Sequence, residues 1–207
     1  MAPQVWLSFA VATIFLVTMP GPTILLTVSY ALGQGKNTAW ATVPGAIVGD
    51  FIAMTISLMG AGAVLAASAT LFTGLKLIGA GYLIWMGIQM WRSKPMEINT
   101  QKVKNVTHRK IFKNTFLVTV LNPKGIIFFV AFVPQFVDPA KDTFIQFAIL
   151  EATFIFLAAT SVLMWALLAS VMHSKFKEER TQNIVNKLSG SFLIGAGFLT
   201  LAAKRTS

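Results

Sequence analysis

The stretch Ala152–Met172, with the sequence ATFIFLAATSVLMWALLASVM, contains no charged residue in 21 consecutive positions. A helix rises about 1.5 Å per residue, so a helix of this length would measure about 30 Å, the thickness of the hydrocarbon core of a bilayer. Such a stretch is typical of a membrane-spanning helix and longer than most apolar stretches in soluble cores. It predicts that this part of the chain crosses a membrane.

Further charge-free stretches lie on both sides of this segment: Met1–Gly35, Phe51–Leu75, Leu77–Trp91, Asn114–Pro123, Gly125–Val137 and Leu188–Ala203. Charged residues make up 12% of the 207 residues, whereas they make up about a quarter of ordinary soluble domains. The sequence therefore predicts one all-α integral membrane domain, residues 1–207, with six transmembrane helices. We expect them near Val5–Ser29, Thr38–Gly60, Leu71–Trp91, Ile111–Val133, Phe144–Ser170 and Lys187–Ala203.

Positive charges are concentrated in two links between these helices. The link after the third helix holds Arg92, Lys94, Lys102, Lys104, Arg109, Lys110 and Lys113, and the link after the fifth holds Lys175, Lys177, Arg180 and Lys187. With Lys36 they share one side of the membrane, and the other side has only Lys76, Lys141, Lys204 and Arg205. The positive-inside rule places the basic links in the cytoplasm and both termini outside. The formal charge of +10 therefore indicates topology, with contacts to anionic membrane lipids as a secondary reading, and no nucleic-acid partner.

The two halves of the chain resemble each other. Lys76-Leu77-Ile78-Gly79, followed by Tyr82-Leu83-Ile84 and Gly87, matches Lys187-Leu188-Ser189-Gly190, followed by Phe192-Leu193-Ile194 and Gly197, with one gap. At a constant offset of 101 residues, Pro22 corresponds to Pro123 and Asp50 to Glu151. Three helices per half would give the halves opposite orientations, so we expect two inverted three-helix repeats, about 1–91 and 111–207, around a basic link at 92–110. Chance similarity between apolar segments is the alternative.

The first helix contains the interruption Met19-Pro20-Gly21-Pro22-Thr23. No lysine or arginine precedes Lys36, so the segment lacks the basic start of a secretory signal and we expect it to be retained as a span. Proline removes a helical hydrogen bond and frees a carbonyl. We expect either a broken helix whose second half, from Thr23, turns free amides toward a buried cavity, or a kink that only improves packing.

Three charged residues fall inside predicted helices at positions where they carry a candidate function: Asp50, Lys124 and Glu151. Lys124, within Leu121-Asn122-Pro123-Lys124-Gly125, lies near the bilayer centre, where an unpaired ammonium costs several kcal/mol. It would bind a substrate carboxylate or pair with a buried acid. Asp50 and Glu151 would bind a cation or relay protons; the alternatives are a permanent ion pair of Asp50 with Lys124 and a shallow, water-exposed Glu151.

Small residues recur every four positions along the second helix, at Ala41, Gly45, Gly49, Ala53, Ser57 and Ala61. Such a stripe allows two helices to approach closely. It indicates packing within the chain or the seam of a homodimer. Asp50 lies beside the stripe and would be held in a protein interior.

Motifs of enzymes and resident cofactors are missing from the sequence. There is no cysteine, which excludes disulfides, thiolate metal sites and thiol redox chemistry. No zinc-protease helix, glycine-rich phosphate loop or nucleophile elbow occurs, and His108 and His173 lie in or beside the basic links. We expect no enzymatic activity, metal or cofactor, and transport driven by an ion gradient or by the substrate's own gradient.

Together these motifs resemble the lysine exporter (LysE) superfamily, in its homoserine/threonine exporter (RhtB) family. The resemblance rests on Pro20-Gly21-Pro22, on Gly45 and Gly49-Asp50, on Leu75-Lys76-Leu77-Ile78-Gly79-Ala80-Gly81-Tyr82-Leu83, and on Asn122-Pro123-Lys124 with Phe128-Phe129 and Phe132-Val133-Pro134-Gln135-Phe136. It implies a bacterial inner-membrane exporter of amino acids or close derivatives that exchanges substrate for protons. The family's signature positions fall on Pro20, Gly21, Pro22, Asp50, Asn122, Pro123 and Lys124.

Our hypothesis is alternating access of the two halves around a zwitterionic amino acid. Its carboxylate would meet Lys124 or the amides that begin at Thr23, and its ammonium would meet Asp50, Glu151 or carbonyls freed by the prolines. The predicted substrate site is therefore Pro20, Gly21, Pro22, Thr23, Asp50, Asn122, Pro123 and Lys124, with Asp50 and Glu151 as the proton-coupling residues. The rivals are export of an inorganic cation and, in another class, an intramembrane enzyme or assembly factor.

Overall fold

The computed structural model describes residues 1–93, 103, 105–138, 140–171 and 179–202, and within these ranges it contains helices and no strand. The α-helices are α1 (Pro3–Thr18), α2 (Pro22–Gln34), α3 (Ala39–Ala67), α4 (Ala69–Arg92), α5 (His108–Val120), α6 (Pro123–Ile127), α7 (Thr143–Val171) and α8 (Glu179–Ala202). A π-helical turn, Phe128–Phe132, and a 3-10 turn, Val133–Phe136, continue α6. The predicted link residues Lys94, Lys102, Lys104, His173, Lys175, Lys177, Lys204 and Arg205 lie outside the described residues.

Several helices are long and apolar enough to cross a membrane. Four continuous helical segments meet this criterion among the described residues: Lys36–Ala63, His108–Phe136, Thr143–Ala169 and Arg180–Leu201. The pair α1 and α2, bent by 50° at its break, makes a fifth if it is counted as one span. The protein is thus an all-helical, multi-pass membrane protein. The predicted third span corresponds to α4, which has 24 residues but is not among these segments, so six spans remain a prediction.

Two helix boundaries differ from the prediction by about two turns, since α3 ends at Ala67 and not at Gly60, and the last helix begins earlier than predicted. We expected the last helix to begin at Lys187, but α8 begins at Glu179. The charge-free criterion finds only the apolar part of a helix, whereas residues such as Glu, Arg and Gln also favour helical backbone. The extra turns of α8 matter because Thr181, Gln182, Val185 and Asn186 line a cavity that is described below.

Close helix contacts depend on glycine at two interfaces. A Cβ on Gly45 would lie 2.8 Å from the Phe112 carbonyl oxygen, and a Cβ on Gly49 would lie 2.8 Å from the Thr119 Cβ, so α3 touches α5 along the predicted small-residue stripe. Helices α4 and α8 meet in the same way where Gly87 faces Gly190. The stripe is therefore covered within the chain around Gly45 and Gly49, and a homodimer through another surface stays a prediction.

Candidate functional site

The first span is broken at the Pro20-Gly21-Pro22 sequence. α1 ends at Thr18 and α2 begins at Pro22. Proline has no N–H, so Pro20 cannot bond to the Leu16 carbonyl, and Pro22 cannot bond to the Thr18 carbonyl, four residues earlier. The Thr18 carbonyl consequently loses its usual helical partner, and the Leu16 carbonyl accepts only a shorter-range bond from the Met19 N–H at 3.3 Å.

Side chains from two other helices donate hydrogen bonds to the carbonyls at the end of α1. Ser161 Oγ donates to the Val17 carbonyl at 2.7 Å, and Trp165 Nε1 donates to the Thr18 carbonyl at 3.2 Å. Both donors lie on α7, one turn apart. The break is thus an ordered feature with its own hydrogen-bond partners.

Lys124 supplies the remaining donors. Its Nζ donates to the Leu16 carbonyl at 3.0 Å and to the Met19 carbonyl at 3.2 Å. The residue is only 8% exposed, and a Cβ on Gly21 would lie 3.2 Å from Nζ, so the glycine permits this approach. An ammonium beside the C-terminus of α1 also meets the negative end of that helix dipole.

A second break positions Lys124. α5 ends at Val120, α6 begins at Pro123, and the Asn122 side-chain oxygen caps α6 by accepting the Lys124 N–H at 3.1 Å. Asn122 is the residue that best serves this role because its side chain can accept from the first free amides of a helix. Lys124 is thereby fixed in the first turn of α6, facing the end of α1.

A pocket of about 50 Å³ lies between the two breaks. We call it the charged pocket because Asp50 and Lys124 both line it, together with Gly21, Thr23 and Asn122. Its remaining walls are Leu16, Val17, Ile24, Gly125, Phe154, Ala158 and Val162. The first hydrogen bond of α2 runs from the Leu25 N–H to the Gly21 carbonyl at 2.9 Å, so the amides of Thr23 and Ile24 point out of the helix start at this pocket.

Asp50 does not form the permanent ion pair with Lys124 that the sequence left open. Among the described residues, the ion pair within 4.0 Å joins Lys141 and Asp138, and the Asp50 carboxylate makes no hydrogen bond there. Lys124 instead takes the carbonyls of α1. The pocket consequently holds a cation with two donors used and a carboxylate without a protein partner.

Glu151 lies apart from the charged pocket. Thr55 Oγ1 donates to Glu151 Oε1 at 2.7 Å, which joins α3 to α7, and Glu151 lines neither of the two cavities described here. It shares a face of α7 with Phe154 and Ala158, three and seven residues further on, so it is one turn from the pocket wall. His108 is exposed in the first turn of α5, in agreement with a solvated role.

A larger cavity of about 290 Å³ adjoins the charged pocket. We call it the apolar cavity; it is lined by Pro20, Gly21, Pro22, Ile24, Leu25, Val28, Met86, Met90, Ser93, Asn122, Pro123, Lys124, Trp165, Thr181, Gln182, Val185 and Asn186. It reaches the C-terminal end of α4 and the N-terminal end of α8, next to the two basic links. The eight predicted substrate-site residues therefore all line one of two adjoining spaces.

Aromatic side chains fill the space beyond the opposite wall of the charged pocket. Phe154 packs against Phe128 and Phe129 of the π-helical turn, with ring centroids 6.0 Å and 4.8 Å apart. Phe132 and Phe136 extend this aromatic cluster away from the breaks, with centroids 5.1 Å apart. The cavity system is thus open toward one side of the protein and packed on the other.

Sequence reasoning missed Ser161 and Trp165 as parts of the site. They are spaced four residues apart in the charge-free segment of α7, which hinted at one shared face. Their partner is 144 to 147 residues away in the chain, and no local pattern indicates that distance.

Helices that break inside the membrane around a buried charged pocket define the class of this protein: a membrane transporter. The chain belongs to the LysE type translocator family, which it matches over residues 14–204. This match confirms the resemblance found in the sequence.

Individual relatives cover nearly the whole chain. An uncharacterized membrane protein of Vibrio cholerae is 31% identical over 201 residues, which is 97% of this chain and 98% of that protein. A homoserine/homoserine lactone efflux protein of Salmonella typhimurium is 29% identical over 200 residues, 96% and 97% of the two chains. A leucine efflux protein of an Enterobacter species is 29% identical over 202 residues, 97% and 94% of the two chains. No solved structure matches this chain.

Proposed function

We propose that this protein exports amino acids or close derivatives across the bacterial inner membrane by secondary transport. Two of its relatives carry the names of a homoserine/homoserine lactone and a leucine efflux protein. The observation that carries the proposal is the charged pocket, where a buried ammonium and an unpartnered carboxylate lie between two broken helices. An amino acid carries a carboxylate that can meet Lys124 and an ammonium that can meet Asp50.

The zwitterion has an obvious orientation in this pocket. Lys124 uses two of its three donors on α1, which leaves one for a substrate carboxylate beside the amides of Thr23 and Ile24. The carbonyls freed by the prolines are occupied by Lys124, Ser161 and Trp165. Asp50 is then the acceptor that remains for the substrate ammonium.

Six spans in two inverted repeats are part of this proposal, with α4 as the third span. If residues 101 positions apart correspond, Thr23 corresponds to Lys124 and Thr18 to Thr119. A two-fold axis exchanges equivalent residues of the two repeats. A contact of Thr23 with Thr119 should therefore be matched by a contact of Lys124 near Thr18. Thr23 Oγ1 lies 3.0 Å from Thr119 Oγ1, and Lys124 bonds to the carbonyls of Leu16 and Met19 on either side of Thr18.

The contact between α4 and α8 also supports the repeat. In the gapped match, Gly79 corresponds to Gly190 and Gly87 to Gly197. Gly87 faces Gly190, and a Cβ on Gly197 would lie 2.8 Å from the carbonyl of Ala80, the residue after Gly79. These two close approaches, which agree with reciprocal contacts to within one residue, support the proposed inverted repeat.

Alternating access would operate between the open and the packed side of the cavity system. The apolar cavity extends to the helix ends next to the basic links, which the positive-inside rule assigns to the cytoplasm. The aromatic cluster would close the outer side, and both termini would lie outside. The structure would then represent the cytoplasm-facing state, with lipids around exposed side chains such as Trp40, which is 85% exposed.

Proton antiport would supply the driving force, with Asp50 or Glu151 taking up the proton. Asp50 would release its proton when the substrate ammonium binds, because both compete for one carboxylate in the charged pocket. Glu151 accepts a hydrogen bond from Thr55 outside that pocket. Because Thr55 lies on α3, the helix that carries Asp50, Glu151 would take up the proton close to the pocket without lining it.

Reconstitution of the purified full-length protein tests the proposed function. Liposomes are loaded with a mixture of amino acids or with Zn²⁺ and Mn²⁺, and efflux is measured with and without an opposing pH gradient. We expect amino-acid efflux that the gradient accelerates, and the loss of this acceleration in Asp50→Asn with the variant still folded in the membrane. Glu151→Gln is measured alongside it.

The possible outcomes separate the rivals. Metal efflux without amino-acid efflux would support the cation exporter instead. Absence of any transport would favour the enzyme or assembly factor. Unchanged counterflow and pH dependence in Asp50→Asn would remove Asp50 from the mechanism.

A further inference from the structure

The apolar cavity and the charged pocket form one continuous space. Gly21, Ile24, Asn122 and Lys124 line both of them. The other walls of the charged pocket are packed side chains, including Leu16, Phe154 and Val162. A molecule whose charged groups occupy the charged pocket can therefore extend further only into the apolar cavity.

The cavity changes in polarity along its length. Beside the breaks it is lined by Asn122, Lys124 and Trp165, and the walls that α2 and α4 contribute are mainly aliphatic, with Ile24, Leu25, Val28, Met86 and Met90. The polar groups Ser93, Thr181, Gln182 and Asn186 lie toward the mouth. Lys124 is the one charged residue in the described lining.

Helix register places these polar groups at the level of Met90 or nearer to the mouth. Gly87 lies against Gly190, so Asn186, one turn before Gly190, lies nearer to the mouth than Met86. Ser93 is seven residues beyond Met86, about 10 Å along α4. A short side chain that extends from the charged pocket into the apolar cavity therefore meets Ile24 and Met86 before it reaches these polar groups.

We propose that the substrate is a free amino acid with an unbranched or branched apolar side chain, held between Met86 and Met90 on one wall and Ile24 and Val28 on the other. This inference rests on the proposed export function and names the substrate class of the same site. Methionine side chains adapt to ligands of different shape, so the cavity accepts a range of aliphatic side chains. Met86 and Met90 are its specificity-determining residues.

Two amino acids of nearly equal size make the sharpest comparison. Norvaline ends in a methyl group where homoserine carries a hydroxyl. The hydroxyl would lose its water without gaining a partner among Met86, Met90, Ile24 and Val28, whereas the methyl group gains from burial. Each added methylene in the series alanine, norvaline, norleucine should improve transport roughly fourfold.

Competition within one vesicle population measures these ratios directly. Proteoliposomes of the full-length protein are loaded with equal concentrations of alanine, norvaline, norleucine, homoserine, threonine, lysine and glutamate, and the initial efflux of each is followed by mass spectrometry. We expect norvaline to leave at least about tenfold faster than homoserine, with lysine and glutamate slowest. Homoserine or threonine efflux equal to or faster than norvaline efflux would overturn this inference and leave the proposed function standing; efflux of no amino acid would overturn both.

Threonine substitutions locate the selectivity. Met86→Thr and Met90→Thr should each lower the norvaline-to-homoserine ratio by about threefold or more while homoserine efflux persists, which also shows that the variants are folded. Met59→Thr is the matched control, since Met59 is 71% exposed on α3 and should keep the wild-type ratio. A wild-type ratio in both cavity variants would contradict the assignment of these residues.

Discussion

Lys124 is bonded to backbone and not to an acid. Its ammonium replaces the N–H group that Pro20 cannot provide to the Leu16 carbonyl, and it adds a bond to the Met19 carbonyl. Buried polar groups in a membrane need such partners because water is not at hand to provide them. One side chain thus stabilises the break in the first span and places a positive charge in the charged pocket.

Replacement of this lysine should affect export strongly. In Lys124→Met the carbonyls of α1 lose a charged donor, worth about 1.5–3 kcal/mol, and the pocket loses its positive charge. We expect the initial efflux rate in proteoliposomes to fall at least about tenfold per folded protein. Lys141→Met is the control, because the Lys141–Asp138 pair is 61% and 45% exposed and such pairs contribute about 1 kcal/mol at most. Wild-type efflux in Lys124→Met would show that the pocket does not need this charge.

At the scale of elements, glycine decides how closely the helices approach. α3 touches α5 at Gly45 and Gly49, while Gly60 on the same helix has no atom within 4 Å of the position where a Cβ would be. Glycine is therefore required for close packing at Gly45 and Gly49 but not at Gly60 of the same helix. Only at the contact does the missing side chain serve packing.

This difference predicts opposite effects of one substitution. In Gly49→Ala the new Cβ would lie 2.8 Å from the Thr119 Cβ and 3.0 Å from the Phe116 carbonyl oxygen, so we expect a loss of about 1–3 kcal/mol of stability. Gly60→Ala should be neutral or stabilise the helix by about 0.5–1 kcal/mol. Thermal unfolding of the two purified variants in detergent measures both. Equal unfolding temperatures would show that α3 and α5 are farther apart than described.

At the scale of the whole molecule, the described residues give the cavity system two different ends. The apolar cavity reaches the ends of α4 and α8 beside the basic links, and the aromatic cluster packs the opposite side. Membrane orientation therefore decides whether the open side receives substrate from the cytoplasm, as an exporter requires.

Single cysteines can test that orientation because the chain has none of its own. Lys110→Cys lies in the first turn of α5, next to the basic link. It should react with a membrane-impermeant maleimide only after cells are permeabilised. Lys141→Cys, between the π-helical segment and α7, should react in intact cells. The cysteine-free protein provides the background, and the reverse labelling pattern would place both termini in the cytoplasm.

The sequence alone indicated a multi-pass helical membrane protein, an interruption at Pro20-Gly21-Pro22 and charged residues within apolar helices. These features depend on local chemistry: apolar side chains favour lipid, and proline removes its own hydrogen bond wherever it stands. Local chemistry also explains why the boundaries of α8 were misjudged, since its first turns are polar and still helical.

Only the tertiary structure decided what the broken helix bonds to. Lys124, Ser161 and Trp165 reach the freed carbonyls from more than 100 residues away, so Asp50 is left without the partner that the sequence suggested. It also decided that Met86 and Met90 line the apolar cavity, which adjoins the charged pocket. Both results depend on distances between helices, which arise from packing and cannot be read from neighbours along the chain.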